Sequence, residues 1–273
     1  MRILAIASLS LSFVFSAFET LPQSPLQVGS GFTHFAEDSW EVNFLSHPAS
    51  LAHLRRTGGT FLYTSRFQLT PLNQYSLAAA FPAGPANLAL AFTSFGKGVY
   101  RETTFSLATG YTIGQKMETG LTINGHELSI RDYGSSRTMG ITASVSYYLA
   151  ETVRWSLLYR NLNSPKLGRS KESLPQVLVT VFDFSPVPSV TAAMELERDL
   201  EFRSRYKFGM RWQPMNIMTI ATGFISHPGQ VTAGISLRPG KGSSKWFGEI
   251  GYAIATHPEL AISQVFAVRF TLP

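Results

Sequence analysis

Charged residues recur at even spacings along one part of the chain, and they are its strongest candidates for chemistry. The set comprises Glu195, Glu197, Arg203, Arg205, Lys207 and Arg211. A spacing of two places side chains on one face of a β-strand, and a turn over residues 198–200 would set Glu195 opposite Arg203. Such a ladder could neutralise itself or form a selectivity or ligand-binding patch. Paired charges on neighbouring strands are common, which favours the self-neutralised ladder.

Other reactive residues do not complete a catalytic or metal-binding motif. His126 and Glu127 lack the second histidine of a zinc-protease helix. Residues 240–245 lack the first glycine spacing and the following helix of a phosphate-binding loop, and no G-x-S-x-G sequence is present. We predict a protein that is not an enzyme, with no catalytic, cofactor-binding or metal residues and no cofactor. A hydrolase whose Ser, His and acid come from different strands remains a remote alternative.

The side chains above must be positioned by strands, because apolar and polar residues alternate through most of the chain. Residues 139–149 show this alternation. The apolar set is Met139, Ile141, Ala143 and Val145, and the small or polar set between them is Gly140, Thr142 and Ser144. Residues 260–272 alternate in the same way. From Thr60 onward such segments are separated by turn residues. We count about 14, an even number as a single-chain bacterial barrel requires. Their centres are near Tyr63, Ala78, Leu90, Ser106, Leu121, Ala143, Leu157, Val179, Ala192, Tyr206, Ile220, Ala233, Ile250 and Phe266.

The two faces of these strands differ in charge. Residues that carry or can gain charge fall almost entirely on one face, for example Arg66, Glu118, His126, Arg154 and Glu249. An Arg or Lys facing lipid at the midplane costs roughly 2–4 kcal/mol. The pattern therefore predicts an all-β fold, a transmembrane antiparallel β-barrel with a charged, hydroxylated lumen and an apolar face toward outer-membrane lipid.

Composition agrees with a barrel and excludes several other classes. The 273 residues are 44% hydrophobic and 15% charged, with a mean hydropathy of +0.06, which is too polar for a bundle of membrane helices. Zero cysteines exclude a disulfide scaffold. The net charge is +6, but the basic residues stand singly along the strands and form no contiguous run, so we predict no nucleic-acid partner.

Two segments precede the strands. Residues 1–17 carry Arg2 ahead of an uncharged apolar stretch, as in a secretory signal peptide that is cleaved near Ser16 or Ala17. Residues 18–59 are mixed in pattern and are predicted to form a plug or hatch inside the barrel of residues 60–273, or a periplasmic extension. A short helix over residues 48–55 is predicted within this segment, with Pro at its first position.

Residues 29–52 read GSGFTHFAEDSWEVNFLSHPASLA, and this block resembles the N-terminal block of the PorV/PorQ proteins, which are similar to FadL-type outer-membrane barrels. Glu37 and Asp38 match the acidic pair of that family, and residues 48–52 match its Pro-Ala-x-Leu-Ala ending. His47 stands where the family has Asn. Shorter resemblances lie at residues 159–162 and 257–260.

The resemblance implies an outer-membrane barrel whose plug carries the motif formed by His47, Pro48, Ala49, Leu51 and Ala52. By analogy with FadL-like members, the expected function is transport of hydrophobic or small molecules across the outer membrane, with a hydrophobic small-molecule ligand. The PorV-like alternative is a component of a protein secretion or surface-assembly system with secretion-system proteins as partners. A hydrophobic pocket between the plug and the wall would favour transport.

Overall fold

The computed structural model describes residues 17–19, 21–36, 40–168, 171–199, 204–238 and 247–272. The predicted signal peptide, apart from Ala17, lies outside these residues, and so do Glu37, Asp38 and Arg203. In the described part of the chain, no helix is long and apolar enough to cross a membrane.

Fourteen antiparallel strands close into a barrel, which confirms the predicted fold class. They are β1 (Gly58–Ser65), β2 (Gln74–Phe81), β3 (Ala86–Phe95), β4 (Tyr100–Ile113), β5 (Met117–Ile130), β6 (Gly134–Ala150), β7 (Val153–Arg160), β10 (Val177–Val187), β11 (Val190–Asp199), β12 (Arg205–Met215), β13 (Met218–Ile225), β14 (Gln230–Leu237), β15 (Phe247–Ala255) and β16 (Ser263–Thr271). Each predicted strand centre falls inside one of these strands. The connection between β7 and β10 contains a separate two-stranded sheet, β8 (Lys166–Leu167) with β9 (Glu172–Ser173).

Closure occurs between the first and last strands. Gly58 lies opposite Thr271 and Ser65 opposite Gln264, while β1 pairs with β2 on its other side. Each barrel strand therefore has a partner on both sides. Such closure satisfies backbone groups that would otherwise face hydrocarbon, where each unpaired group costs several kcal/mol.

The faces of the wall follow the predicted alternation. On β4 and β5, Phe105 and Ile123 are 62% and 40% exposed on the outer surface, whereas Thr122, which precedes Ile123 on β5, is fully buried. On β12 the outward residues are Tyr206, Phe208, Met210 and Trp212, all large and exposed. The outside is thus an apolar band, and the inside is lined by small and polar residues.

The predicted helix over residues 48–55 is shorter and tighter than expected. A 3₁₀ helix occupies Pro48–His53, and the amide of Leu54 donates to the carbonyl of Leu51 at 3.0 Å, an i to i−3 bond. The helix ends there because Leu54 already has extended backbone angles. Gly58, expected just past the helix, instead begins β1.

The longer connections of the chain do not all lie at one rim of the barrel. Residues 131–137 and 161–173 lie at the rim where β5 and β7 end, but residues 240–245 connect β14 to β15. In an antiparallel barrel successive connections alternate between rims, so this connection joins the strands at the other rim. Gly248 pairs with Phe270, which also pairs with Gly59 near the start of β1. Residues 240–245 themselves are outside the described part of the chain.

Connections at the rim that contains Gly59 are otherwise short. They comprise residues 82–85, 114–116, 151–152, 188–189 and 216–217. The opposite rim carries the long connections at residues 66–73, 161–176 and 256–262. Short turns on one rim and longer loops on the other are typical of outer-membrane barrels, whose long loops are extracellular.

Candidate functional site in the barrel lumen

The described residues between 17 and 57, here called the N-terminal segment, pack against the inward side of the wall. Its first helix, α1 (Pro25–Gly29), begins with a cap in which the Ser24 hydroxyl accepts from the Gln27 amide at 3.1 Å. α1 contacts β13, β14 and β15. The backbones approach so closely that a Cβ built on Gly29 would lie 2.6 Å from the Gly234 Cα. Only glycine at these positions permits this contact.

The middle of the N-terminal segment supplies an apolar core to the lumen. Trp40, Val42, Phe44, Leu45 and Leu51 are buried with wall residues such as Leu62, Ala78 and Ala91. Burying a large apolar side chain contributes about 1.5–3 kcal/mol. Alanines on the wall leave the space that these larger side chains fill.

The predicted plug motif, residues 47–52, lies against β4, β5 and β6. The Ala49 amide donates to Ser144 Oγ at 2.8 Å, and His47 Nε2 lies 3.0 Å from Ser146 Oγ. Asn87 Nδ2 donates to the carbonyl of Leu51 at 2.6 Å. The 3₁₀ helix that begins at Pro48 and the His47 that precedes it are therefore bonded to two wall strands, β3 and β6, and Ala52 within the helix is buried.

Burial also fixes the charge of His47. Desolvation, followed by the nearby basic groups, lowers the pKa of His47 from 6.5 to about 3. Its side chain is therefore neutral at physiological pH. The His47 Nδ1 atom has no hydrogen-bond partner in the described residues, so no carboxylate orients this ring toward Ser146 as a catalytic pair would require.

Carboxylates on the wall accept hydrogen bonds from the N-terminal segment. Glu195 Oε2 accepts from the His34 amide at 2.8 Å and lies 2.9 Å from His34 Nδ1. Asp183 accepts from the Ala36 amide at 3.0 Å. Glu102 accepts from the Phe18 amide at 3.0 Å.

A close polar contact and an ion pair also connect the segment to the wall. His53 Nε2 lies 2.9 Å from Glu118 Oε2, and Arg269 Nε lies 3.0 Å from Oε1 of Glu41 on the segment. Thr60 donates to the same Glu41 carboxylate at 2.6 Å. Hydrogen bonds to charged groups contribute about 1.5–3 kcal/mol each, so the segment is held by bonds along its length.

The described charges of the ladder pair with one another. Lys207 Nζ lies 2.7 Å from Glu195 and 2.6 Å from Glu197, and Arg205 lies 3.2 Å from Glu197. The Arg211 guanidinium stacks over the Phe35 ring of the N-terminal segment at 4.0 Å. The ladder thus neutralises its own charges and contacts the segment through His34 and Phe35.

The predicted register of the ladder is wrong. Glu195 lies opposite Lys207 and Glu197 opposite Arg205, not Glu195 opposite Arg203. The reason is that β11 continues to Asp199 and β12 begins at Arg205, so the connection is longer than a three-residue turn. Each added residue in the connection moves the partner along β12.

A cavity lies between the N-terminal segment and strands β2 to β5. The segment contributes the apolar residues Phe18, Leu21, Pro22 and Leu45, and the wall contributes Gln74, Thr93, Phe95, Glu102, Thr104, Ser106, Asn124 and His126. Its volume of about 20 Å³ has room for one or two water molecules. The cavity is amphipathic, with an apolar side and a polar side.

Several residues of this site are absent from the sequence-based candidates. Glu102 and Asp183 occupy inward positions of β4 and β10, and Glu41 and His34 lie on the N-terminal segment. The alternation of Glu102 with Thr104 and Ser106 is a signal that could have identified it. The partners on the segment have no such periodic signal. Among the described residues, no group of three or more His, Asp or Glu side chains could hold a metal ion.

No protein-family model and no curated protein matches this chain. Solved structures of other proteins match this chain in fold. The CymD monoaromatic hydrocarbon channel matches with a TM-score of 0.66 and 12% identity, over 91% of this chain and 97% of that chain. The toluene transporter TbuX of Ralstonia pickettii matches with a TM-score of 0.65 and 11% identity, over 93% and 98% of the two chains.

A FadL homologue from Pseudomonas aeruginosa matches with a TM-score of 0.65 and 6% identity, over 92% of this chain and 98% of that chain. At these identities the likeness concerns the fold. The chain shares the barrel fold of these structures, and this supports the coarser part of the predicted resemblance, which is a FadL-like fold. No comparison shows the PorV/PorQ assignment.

Proposed function

We propose that this protein is an outer-membrane channel for small hydrophobic molecules, with the N-terminal segment as a plug. The observation that carries the proposal is the cavity between that segment and the wall, where Phe18, Leu21 and Leu45 face the strands. Ligand sites are typically concave and mostly apolar, with a few polar groups. Among the similar structures are a monoaromatic hydrocarbon channel and a toluene transporter, which supports this substrate class.

Passage requires the plug to move, because the cavity admits only one or two water molecules. The wall is hydrogen-bonded around its circumference, whereas the plug is joined to it by side-chain contacts that can break and reform. Phe18, Leu21 and Pro22 line one side of the cavity, with Phe18 at a positive φ of 59°. Such a backbone conformation costs roughly 1–3 kcal/mol for a bulky residue, and movement of the plug would relieve it.

The PorV/PorQ resemblance leaves a role in protein secretion or surface assembly as an alternative. Its structural support would be a protein-binding surface at the rim with the long connections. The amphipathic cavity favours transport, because a secretion component has no need of a small apolar site beneath the plug. A barrel-borne hydrolase lacks support, since the His47 and Ser146 pair is buried and His47 Nδ1 has no partner in the described residues.

The experiment is uptake of radiolabelled toluene by cells of a two-membrane host that lacks its own hydrocarbon channel. Cells that make this protein should take up toluene several times faster than cells with an empty vector. Uptake of a small sugar should not change, because the plug fills the lumen. Equal toluene uptake in both strains would contradict transport and would leave the secretion role as the better explanation.

A further inference from the structure

The wall beside the cavity contains two buried polar atoms that lack partners. His126 is 5% exposed and lines the cavity, and its Nε2 atom has no hydrogen-bond partner in the described residues. Asn161 is 2% exposed, and its Oδ1 atom also has none there. An unsatisfied buried polar group costs about 1–3 kcal/mol, so two at one place need an explanation.

Both atoms lie next to the same glycine. A Cβ built on Gly140 would contact Asn161 Oδ1 and would lie 3.1 Å from His126 Nε2. Gly140 is an inward residue of β6, opposite Asn124 on β5. Because Gly140 has no side chain, both polar atoms can approach the backbone of β6. The group of Gly140, His126 and Asn161 is here called the notch.

The hydrogen-bond roles of the notch follow from its neighbours. Asn161 Nδ2 donates to the Pro175 carbonyl at 2.9 Å, so Oδ1 is the free atom and is an acceptor. His126 Nδ1 lies 3.0 Å from the Thr104 hydroxyl. When Thr104 donates to Nδ1, the proton of the neutral ring is on Nε2, which is then a donor.

We infer that the notch binds the hydroxyl group of a neutral aromatic alcohol, such as a phenol, whose ring takes the place of the Phe18 ring beside His126 when the plug moves. A hydroxyl both donates and accepts, so it can donate to Asn161 Oδ1 and accept from His126 Nε2. This inference rests on the proposed transport function and narrows its substrate class. Pure hydrocarbons leave both polar atoms unsatisfied.

Residues around the notch favour an aromatic ring in the ligand and disfavour a negative charge on it. The Phe18 ring lies 4.5 Å from the His126 ring, which shows that an aromatic ring fits against this histidine. Phe95 provides a second aromatic surface. Glu102, buried in the same cavity, repels a carboxylate ligand and so disfavours benzoate-like anions.

The test is ¹⁹F NMR binding with the folded barrel in detergent, with fluorobenzene, 4-fluorophenol and 4-fluorobenzoate as probes. Protein-free micelles give the partitioning background for each probe. We expect 4-fluorophenol to bind about tenfold more tightly than fluorobenzene, a difference of about 1.4 kcal/mol. We expect 4-fluorobenzoate to bind more weakly than the phenol.

Gly140→Ala fills the notch and His126→Leu removes its donor, so each should abolish the preference for the phenol over fluorobenzene, whatever its effect on fluorobenzene binding itself. Gly125→Ala is the matched control, because its Cβ would meet only the Phe105 carbonyl oxygen at 3.8 Å. Heat-modifiable migration on gels verifies that each variant folds, and His126→Leu serves if Gly140→Ala does not fold.

The outcomes separate this inference from the proposed function. Equal binding of fluorobenzene and 4-fluorophenol, or a preference that survives both variants, overturns the hydroxyl site and leaves the hydrocarbon channel intact. Binding of none of the three probes overturns both. Tighter binding of the benzoate also overturns the inference, since it would require a cationic site.

Discussion

Individual side chains on the plug and the wall decide how firmly the plug is held. Each of the wall carboxylates Asp183, Glu195 and Glu102 accepts a hydrogen bond from a backbone amide of the plug. Charged acceptors of this kind are stronger than neutral ones. Because they are buried, loss of one partner leaves the other unsatisfied, and local changes therefore have large effects on docking.

His47 should make docking depend on pH. The docked side chain has a pKa of about 3, while an undocked histidine titrates near 6.5. The contribution of neutral His47 to plug docking is thus complete above pH 6.5. As the pH falls from 6.5 toward 3, the equilibrium constant for docking decreases by at most about tenfold per pH unit. The groups whose charges act on this ring are His34, His53, Arg154 and Glu195.

The measurement for His47 is the frequency of channel openings in a planar bilayer between pH 7.5 and pH 4.5. The wild type should open more often at the lower pH. His47→Gln can keep the hydrogen bond to Ser146 without titrating, so its openings should vary less with pH. An unchanged pH dependence in this variant would assign the effect to another group.

The sequence predicts which way a side chain points where apolar and polar residues alternate along a strand. The inward positions of Glu195, Lys207 and Glu118 follow from a period of two, since each lies on a strand. The partners of these groups, such as His34, lie on a segment without a repeat, so no periodicity identifies them. The pairing of Glu195 also depends on the length of a connection, which composition does not determine.

At the scale of elements, glycines on the wall allow the 3₁₀ helix at Pro48–His53 to dock. A Cβ on Gly120 would meet the backbone of Pro48 and Ala49, and one on Gly110 would lie 2.9 Å from the Ala52 amide nitrogen. Backbone atoms at these points cannot move aside as a flexible side chain can. Close contact of helix and wall therefore requires glycine in both strands.

Gly120→Val should displace this helix from the wall. Overpacking typically costs 1–3 kcal/mol, comparable to the hydrogen bonds that hold the helix. Planar-bilayer recordings should show a higher conductance than the wild type, because the plug no longer fills the lumen. Gly125→Val, on the outer face of the same strand, is the control and should conduct like the wild type. Equal conductance of both variants would contradict the close contact.

The strands themselves were the most predictable elements. Every predicted centre lies in a barrel strand because the alternation runs through the whole wall. Ends were less predictable, as at Gly58, where the strand begins two residues earlier than Thr60. Turn residues mark where a connection lies, but hydrogen bonds to the neighbouring strand determine where pairing stops.

The whole molecule combines a rigid wall with a plug that is held only by packing and side-chain bonds. Barrel closure satisfies the backbone of the wall and removes its edges. The described residues of the plug form no strand paired with the wall, so the plug can move without opening the barrel. We propose that this difference allows passage of hydrophobic molecules while the wall stays closed.

The most direct test of this account is a reversible tether between the plug and the wall. The chain has no cysteine, so Ala49→Cys with Ser144→Cys introduces a single cysteine pair. In the wild type the Ala49 amide nitrogen and Ser144 Oγ lie 2.8 Å apart, so the two backbones are close at this point. Ser185→Cys with Thr191→Cys, whose hydroxyls lie 3.1 Å apart within the wall, is the control pair.

Toluene uptake by host cells is measured before and after reduction with dithiothreitol. We expect the oxidised plug tether to lower uptake to the level of cells without the protein, reduction to restore it, and the wall tether to have no effect. Full toluene uptake with the plug tether oxidised would contradict a moving plug.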